Sequence, residues 1–506
     1  MSKGSLRQPA GLPTKGFFGH PAGLSTLFFT EMWERFSYYG MRAILILFMT
    51  ASLAEKGLGI DPSEAGAIYG LYTAGVYLLT LPGGWLADNI LGQRKAIWYG
   101  GILIMIGHLI LAIPGSPGIF VLGLVFVASG TGLLKPNIST VVGDLYPEGG
   151  ARRDQGFSIF YMGINLGSFF GQIFVPFLAA YNWHWGFGAA AIGMFFGLLQ
   201  FRLTQGSLND LGLKPKLKEE VEEGVVVGKV NGVLAGVLGL ALVVFLAVLQ
   251  WMGTIDVTTA TGIAQAVGVI IVVITLFYFL YIMVAGGLNP DEKKKVFVIF
   301  FLFVGAALFW SGFEQAGSSL NLFARDFTNR MIGSWEMPAG MLQSANSLVI
   351  ILFAPLVGWL WVKLAARNLN PNTPIKFGIG IILMGLGFVV MYFAAQIAAA
   401  GTKVGMGWLW FTYFLHSIGE LTLSPVGLSA TTKLSPKRYV GQMMGIWFVG
   451  ASLGNLIAGL FAGGVDTENA SQMPALFLSV VIFAVISGVL FIIFNPILKK
   501  WMGDVK

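Results

Sequence analysis

Two glutamates and two arginines stand in EMWERFSYYGMR, residues 31–42, directly ahead of the apolar run AILILFM. Wound into a helix at about 100° per residue, Glu31 lies at 0°, Glu34 at about −60°, Arg35 at about +40°, Tyr38 at about −20° and Arg42 at about +20°. All five share one narrow face. A charge held against lipid at mid-bilayer costs on the order of 3 kcal/mol, so that face must line water or pair inside a bundle. Glu31 and Arg35 are spaced as an (i, i+4) ion pair. Carboxylates beside cations can exchange a proton for a partner, because burial raises a carboxyl pKa and a nearby cation lowers it. The chemistry offered is reversible protonation coupled to ion pairing.

The other charges inside apolar runs are few: Lys135, Glu314 and Glu420. At 1.5 Å per residue, Lys135 lies about 10 Å, Glu31 about 14 Å and Glu420 about 20 Å from the inner ends of their helices. Arg42 and Glu314 lie about 30 Å and about 27 Å in on the same scale. They are therefore expected to meet as a gate, while Lys135 reaches the first-helix carboxylates or stretches toward Glu420.

The elements that must hold these residues are membrane spans. Of 506 residues, 56% are hydrophobic and 11% charged, against about 25% charged in soluble domains. The fold class expected is an all-α polytopic membrane protein with fourteen spans. They run roughly over 22–53, 64–89, 95–113, 117–142, 156–181, 183–203, 231–251, 259–286, 296–324, 340–364, 374–399, 406–433, 439–464 and 473–498, each long enough to cross a bilayer. Lys and Arg set the orientation. With the N-terminus inside, 24 of the 31 fall in inner segments and only Lys56, Arg325, Arg330 and Lys403 in outer loops. Both termini are then cytoplasmic, and the net charge of +7 is a topology signal rather than a nucleic-acid footprint. No cleaved signal peptide is read at the N-terminus.

LKPNISTVVGDLYP (134–147) is echoed by LSPVGLSATTKLSP (423–436), and GGWLADNILGQRKA (83–96) more weakly by VGWLWVKLAARNLN (357–370). Setting aside the pair at 231–286, the two interior prolines fall in the fourth helix of each half. The architecture expected is 6 + 2 + 6: residues 1–203 a six-helix bundle, 204–290 a linker with an inserted hairpin, 291–506 a second bundle. Parallel six-helix repeats place a substrate site between the halves. Asp88, Gly92, Arg94 and Lys95 fit the cytoplasmic loop motif of the major facilitator superfamily, in which the acidic residue serves a gate.

Other chemistries lack their residues. There is no cysteine, hence no disulfide or thiolate metal site, and no HExxH or pair of intramembrane aspartates. No metal or cofactor is expected. His20, His108, His184 and His416 show no metal spacing, and His416 reads as packed. An intramembrane enzyme is excluded on these grounds; the two-fold repeat with titratable pairs favours alternating access over a channel.

EMWERFSYYG, GTGLLKPN (130–137), FYMGINLGS (160–168), FWSGFEQ (309–315) and GELTLSPVGLS (419–429) occur in this order across both halves. With them the chain resembles the proton-dependent oligopeptide transporter family, and the inserted pair is similar to that of bacterial members. The resemblance implies proton-driven import of dipeptides and tripeptides across the cytoplasmic (inner) membrane, with the proton as coupling ion, the lipid bilayer as surroundings and no obligate protein partner. It implies Glu31, Glu34, Arg35 and Lys135 as the proton-coupling set. It implies Arg42 and Lys135 as the pocket for the peptide carboxylate, and Asn165, Asn346 and Glu420 as acceptors for its ammonium and backbone. Tyr38, Tyr72, Trp310, Ser424 and Trp447 complete the peptide-binding set, and Arg42, Glu314 and Asp88 the gates. Position 313 is Phe, where some bacterial members carry a second acid. No histidine lies early in the second helix, where animal members have one, so proton coupling rests on carboxylates. A nitrate or other small-anion porter of the same fold is the alternative; Glu420 argues against it, since such an anion has no ammonium to meet a carboxylate.

Overall fold

The computed structural model describes residues 16–147, 150–215, 243–465 and 470–503. Nearly all of it is helix. The chain forms α1 (Gly23–Thr50), α2 (Pro62–Leu78), α3 (Thr80–Leu86), α4 (Gln93–Ala112), α5 (Pro117–Asp144), α6 (Gly150–Ala179) and α7 (Trp183–Thr204). After helical residues 243–251 come α8 (Ala260–Ala285), α9 (Pro290–Phe313), α10 (Ser319–Asp326), α11 (Ser344–Ala366) and α12 (Thr373–Ala399). The last are α13 (Gly407–Leu434), α14 (Val440–Phe461), α15 (Met473–Ile493) and the short α16 (Asn495–Met502). Among the described residues, ten helical stretches are long and apolar enough to cross a membrane. α1 is as long but carries the four charges of residues 31–42. Most of the expected first inserted helix, 231–251, and of the linker before it lies outside the described residues. The only strands described are two-residue pairs: Thr328–Asn329 parallel to Val404–Gly405, and Met331–Ile332 antiparallel to Trp335–Glu336.

The second expected span is three pieces rather than one. α2 gives way to α3 at Leu79, and α3 runs into a π-turn at Ala87–Leu91 that ends on Gly92. Gly92 has φ +80°, and a Cβ there would sit 2.8 Å from Leu213 O, so both conformation and space demand glycine. The ninth expected span, 296–324, likewise breaks. α9 ends at Phe313, a 3₁₀ turn covers Glu314–Gly317, and α10 resumes at Ser319.

By packing, the chain falls into two compact units. One gathers Met1–Ile44 with Leu78–Gly228, the other Leu45–Tyr77 with Lys229–Lys506. In the first unit, glycines let helices touch backbone to backbone. A Cβ on Gly83 would lie 2.2 Å from Gly132 O, and one on Gly100 2.7 Å from Gly130 O. In α6, Gly163, Gly167 and Gly171 recur every four residues and form the groove in which α1 lies: Cβ atoms there would meet the Phe28 ring at 2.9 Å, Met32 O at 2.0 Å and Phe36 O at 2.3 Å. This is the small-xxx-small packing of membrane helices.

The second unit contains the end of α1 and most of α2. Thr50 Oγ1 accepts a 2.6 Å bond from Arg325, and Ser452 Oγ donates to Ala74 O at 3.0 Å. Gly66 and Gly70 of α2 lie against Gly459 of α14, with no room for a Cβ on any of the three. α8, expected as the second helix of an inserted pair, is fastened at both ends. Glu64 accepts from Ala260 N at 2.8 Å and from Thr261 Oγ1 at 2.9 Å, a carboxylate set where the helix dipole favours it. Beyond its far end, Arg438 donates to Gly287 O and Tyr439 Oη to Gly286 O.

Candidate functional site

The α6 glycine groove fixes how far α1 can approach and so where its charged face points. On that face Arg35 Nε lies 3.0 Å from Glu31 Oε1 and also pairs with Glu34. None of the three is more than 2% exposed. Thr131 of α5 donates to Glu34 Oε1 at 3.4 Å, and Ser37 Oγ caps the Glu34 carbonyl at 2.8 Å. Lys135, one helical turn along α5, adds its positive charge to the field at Glu34. The guanidinium of Arg35 stands 5.2 Å from the Tyr38 ring centre and 5.9 Å from that of Tyr39, and Arg42 stands 5.4 Å from Tyr39. The first unit therefore brings Glu31, Glu34 and Arg35 into one cluster, with Lys135 acting on it.

α5 holds Lys135 through a proline. Pro136 lacks an N–H and cannot bond the carbonyl of Gly132; Gly83 lies on that carbonyl instead. Asn137 fills in alongside, donating to Leu133 O at 2.7 Å and Gly83 O at 3.4 Å. In α6, Asn165 is buried, and its amide nitrogen donates one bond to Tyr161 O at 3.0 Å. In the turn between α3 and α4, Asp88 accepts from Gln93 Nε2 at 3.0 Å. Arg94 binds the segment after α7: its guanidinium donates to Leu211 O at 2.6 Å and to Asn209 O, and its backbone N to Gly212 O at 2.9 Å.

In the second unit Asn346 of α11 donates to Glu420 Oε2 of α13 at 3.2 Å and to Ser417 Oγ at 2.9 Å. Ser424 lies one turn beyond Glu420 on α13, half-buried. Trp447 packs edge-on to Phe377, ring centres 6.2 Å apart, in space that Gly427 leaves: a Cβ there would come 2.1 Å from Trp447 Cη2. Trp310 packs edge-on against Phe313 at 5.2 Å. Phe313 stacks on Phe309 at 5.5 Å, so this aromatic is part of an apolar stack. Glu314 is buried at the turn where α9 ends, and Tyr72 is buried in α2. His416 is buried between Phe313 and Phe388 and shares a 3.0 Å hydrogen bond with Met384 O, a packed histidine. Arg42 belongs to the first unit and Glu314 to the second.

Several participants carried no role in the sequence reading. Thr131 and Ser417 are single hydroxyls in apolar helices; their only sequence signal is one-turn spacing from Lys135 and proximity to Glu420. The four-residue glycine spacing in FYMGINLGS was available as a packing signal.

The profile of the POT family matches residues 94–476. A peptide transporter of Yersinia enterocolitica is 43% identical, over 99% of this chain and 98% of its own. A di-/tripeptide transporter of Lactococcus lactis is 35% identical, over 97% and 98%. A crystal structure of a POT peptide transporter in complex with sulfate superposes with a TM-score of 0.85 at 39% identity, covering 97% of this chain and 98% of that one. With that coverage, and with the motifs on the helices that carry the buried charges, the chain belongs to the POT family of peptide transporters, membrane proteins of the major facilitator fold.

Proposed function

We propose that this chain is a proton-coupled symporter that imports dipeptides and tripeptides across the cytoplasmic membrane by alternating access, with both termini inside. The observation that carries the reading is the buried Glu31–Arg35–Glu34 cluster, with Thr131 on Glu34 and Lys135 acting on it. Proton arrival at either carboxylate removes a negative charge from a site short of solvent. Arg35 then keeps one partner instead of two, and Lys135 becomes available to another anion. A peptide carboxylate is such an anion, so proton and substrate use the same cations in turn. The names of the relatives support peptides as the cargo, and the 24 inner Lys and Arg support the orientation.

Substrate is held by two poles. Arg42 and Lys135 receive the peptide carboxylate, Glu420 with Asn346 receives the ammonium, and Asn165 offers its amide oxygen. Tyr38, Tyr72, Trp310, Ser424 and Trp447 line the space for side chains. Arg42 and Glu314 form the outer gate, and Asp88 serves the inner one. The test is competition against a labelled dipeptide by free, C-amidated and N-acetylated versions of one sequence. Each block strands a charge, worth about 2–5 kcal/mol, or roughly 30-fold to several-thousand-fold in affinity. Blocked peptides that compete as well as the free one would remove the two-pole reading; competition by nitrate alone would replace it with a small-anion porter.

A further inference from the structure

An asparagine side chain is nearly symmetric in shape but not in chemistry: one end donates two hydrogen bonds, the other accepts. Whether Asn346 meets a ligand with its oxygen or its NH₂ depends on which end its protein neighbours claim. Two neighbours do so. Glu420 accepts through Oε2 at 3.2 Å. Ser417 Oγ, at 2.9 Å, could in principle donate or accept. Its hydrogen is already committed, because Ser417 donates to Tyr413 O one turn back at 2.6 Å. The hydroxyl is left with lone pairs facing Asn346. Both neighbours therefore demand a donor, and the two N–H groups of Asn346 match the two acceptors. Oδ1 is turned away, and among the described residues it receives no hydrogen bond.

We infer that Ser417 is a positioning residue that fixes Asn346 with its oxygen toward the ligand, making it an acceptor for a peptide ammonium beside Glu420. This rests on the two-pole reading above. Ser417 is fully buried and does not touch substrate itself. The Tyr413 carbonyl sets the hydroxyl, the hydroxyl sets the amide, and the amide adds a second oxygen where Glu420 supplies the first. An ammonium has three donors and no acceptor, so two oxygens suit it. An amide turned over would present N–H to N–H. Without the hydroxyl at 417, Glu420 alone holds Asn346, by one bond about which the side chain can swing.

The test compares dialanine with N-acetyl-dialanine as competitors of a labelled dipeptide, in the wild type, Ser417→Ala, Ser417→Thr, Asn346→Ala and the double variant Ser417→Ala/Asn346→Ala. The acetylated peptide lacks the ammonium that Oδ1 would accept from, so its affinity should change less than twofold in Ser417→Ala. The affinity for dialanine should fall about tenfold, the scale of one hydrogen bond to a charged group. Ser417→Thr keeps the hydroxyl and should restore the preference for the free amine. In the Asn346→Ala background, Ser417→Ala should add less than twofold, as expected when one residue acts only through another. If Ser417→Ala does not fold, Ser417→Cys replaces it: a thiol is a poor acceptor, and the same selective loss is expected. Equal loss for both competitors, an undiminished preference for dialanine, or a loss that persists without Asn346 would each overturn the assignment. A wild type that does not prefer the free amine would remove the two-pole reading, and this inference with it.

Discussion

Arg35 has two carboxylate partners, and Glu34 has a hydroxyl and the field of Lys135 in addition to Arg35. On the proposed mechanism, this over-connection lets one proton redistribute pairings without leaving a bare charge. Glu31→Gln and Glu34→Gln should each cut proton-driven dipeptide accumulation by about tenfold or more, since losing one charge from a buried pair is worth about 2–5 kcal/mol. Counterflow of peptide, which needs no net proton movement, should persist; full gradient-driven uptake by both variants would take coupling away from these residues. Residue chemistry was the most legible layer in the sequence. A charge in an apolar span must have a partner, and Glu31, Glu34, Arg35 and Lys135 announce themselves by type alone. Thr131, Ser417 and Asn137 do not. A hydroxyl or amide in a membrane helix can satisfy itself on its own backbone, as Asn165 does on Tyr161 O, so its tertiary role depends on a neighbour the sequence does not name.

Helices here are set by glycines as much as by apolar faces. Gly167→Ala would press a methyl onto Met32 O of α1. The overpacking is expected to cost about 1–3 kcal/mol and to lower Tm in detergent while moving the charged face that α1 presents. Gly188→Ala in α7 is the control: its Cβ would only graze Ala112 at 3.9 Å, so it should be neutral or gain about 0.5–1 kcal/mol from helix propensity. Equal Tm values for the two variants would mean that the groove does not set α1. The loop before α8 is held by Asp256, whose carboxylate accepts from Thr258 Oγ1 at 2.7 Å and Thr258 N at 3.0 Å. These bonds hold its pKa below the ordinary aspartate range. A depressed folded pKa gives stability that is complete above the unfolded value and is lost only as pH falls through the folded one. Hydrogen exchange at Thr258 N, corrected for intrinsic rate, should therefore be unchanged between pH 7 and pH 5. Span positions were readable from hydropathy to within a few residues at most helix ends, as at α5 and α12. The breaks at Leu79, Ala87–Leu91 and Glu314–Gly317 were not, because apolar content is the same in a straight helix and a broken one.

At the scale of the molecule, Arg42 stands in one compact unit and Glu314 in the other, and both are buried. Their proposed pairing predicts that Arg42→Glu and Glu314→Arg are each severely impaired, a stranded buried charge costing roughly 3–5 kcal/mol, and that the charge-reversed double variant regains counterflow. Double-variant activity no better than either single would separate the two residues. Pro136 and Pro425, on which the expected 6 + 2 + 6 arrangement rests, were legible as interior prolines of apolar spans, and they lie inside α5 and α13. That Leu45–Tyr77 packs with the second unit was not, since the pattern within a helix does not reveal which neighbour its far end prefers. The seam of Gly66 and Gly70 on Gly459 is part of that packing. A carrier driven by a pH gradient is only as good as its insulation, for any continuous file of water short-circuits the gradient. Backbone laid on backbone leaves no side chain to swing aside and admit one. Widening the seam with Gly459→Ala should show first as leakage: an imposed pH gradient across proteoliposomes should decay faster in the absence of any peptide, before transport itself slows.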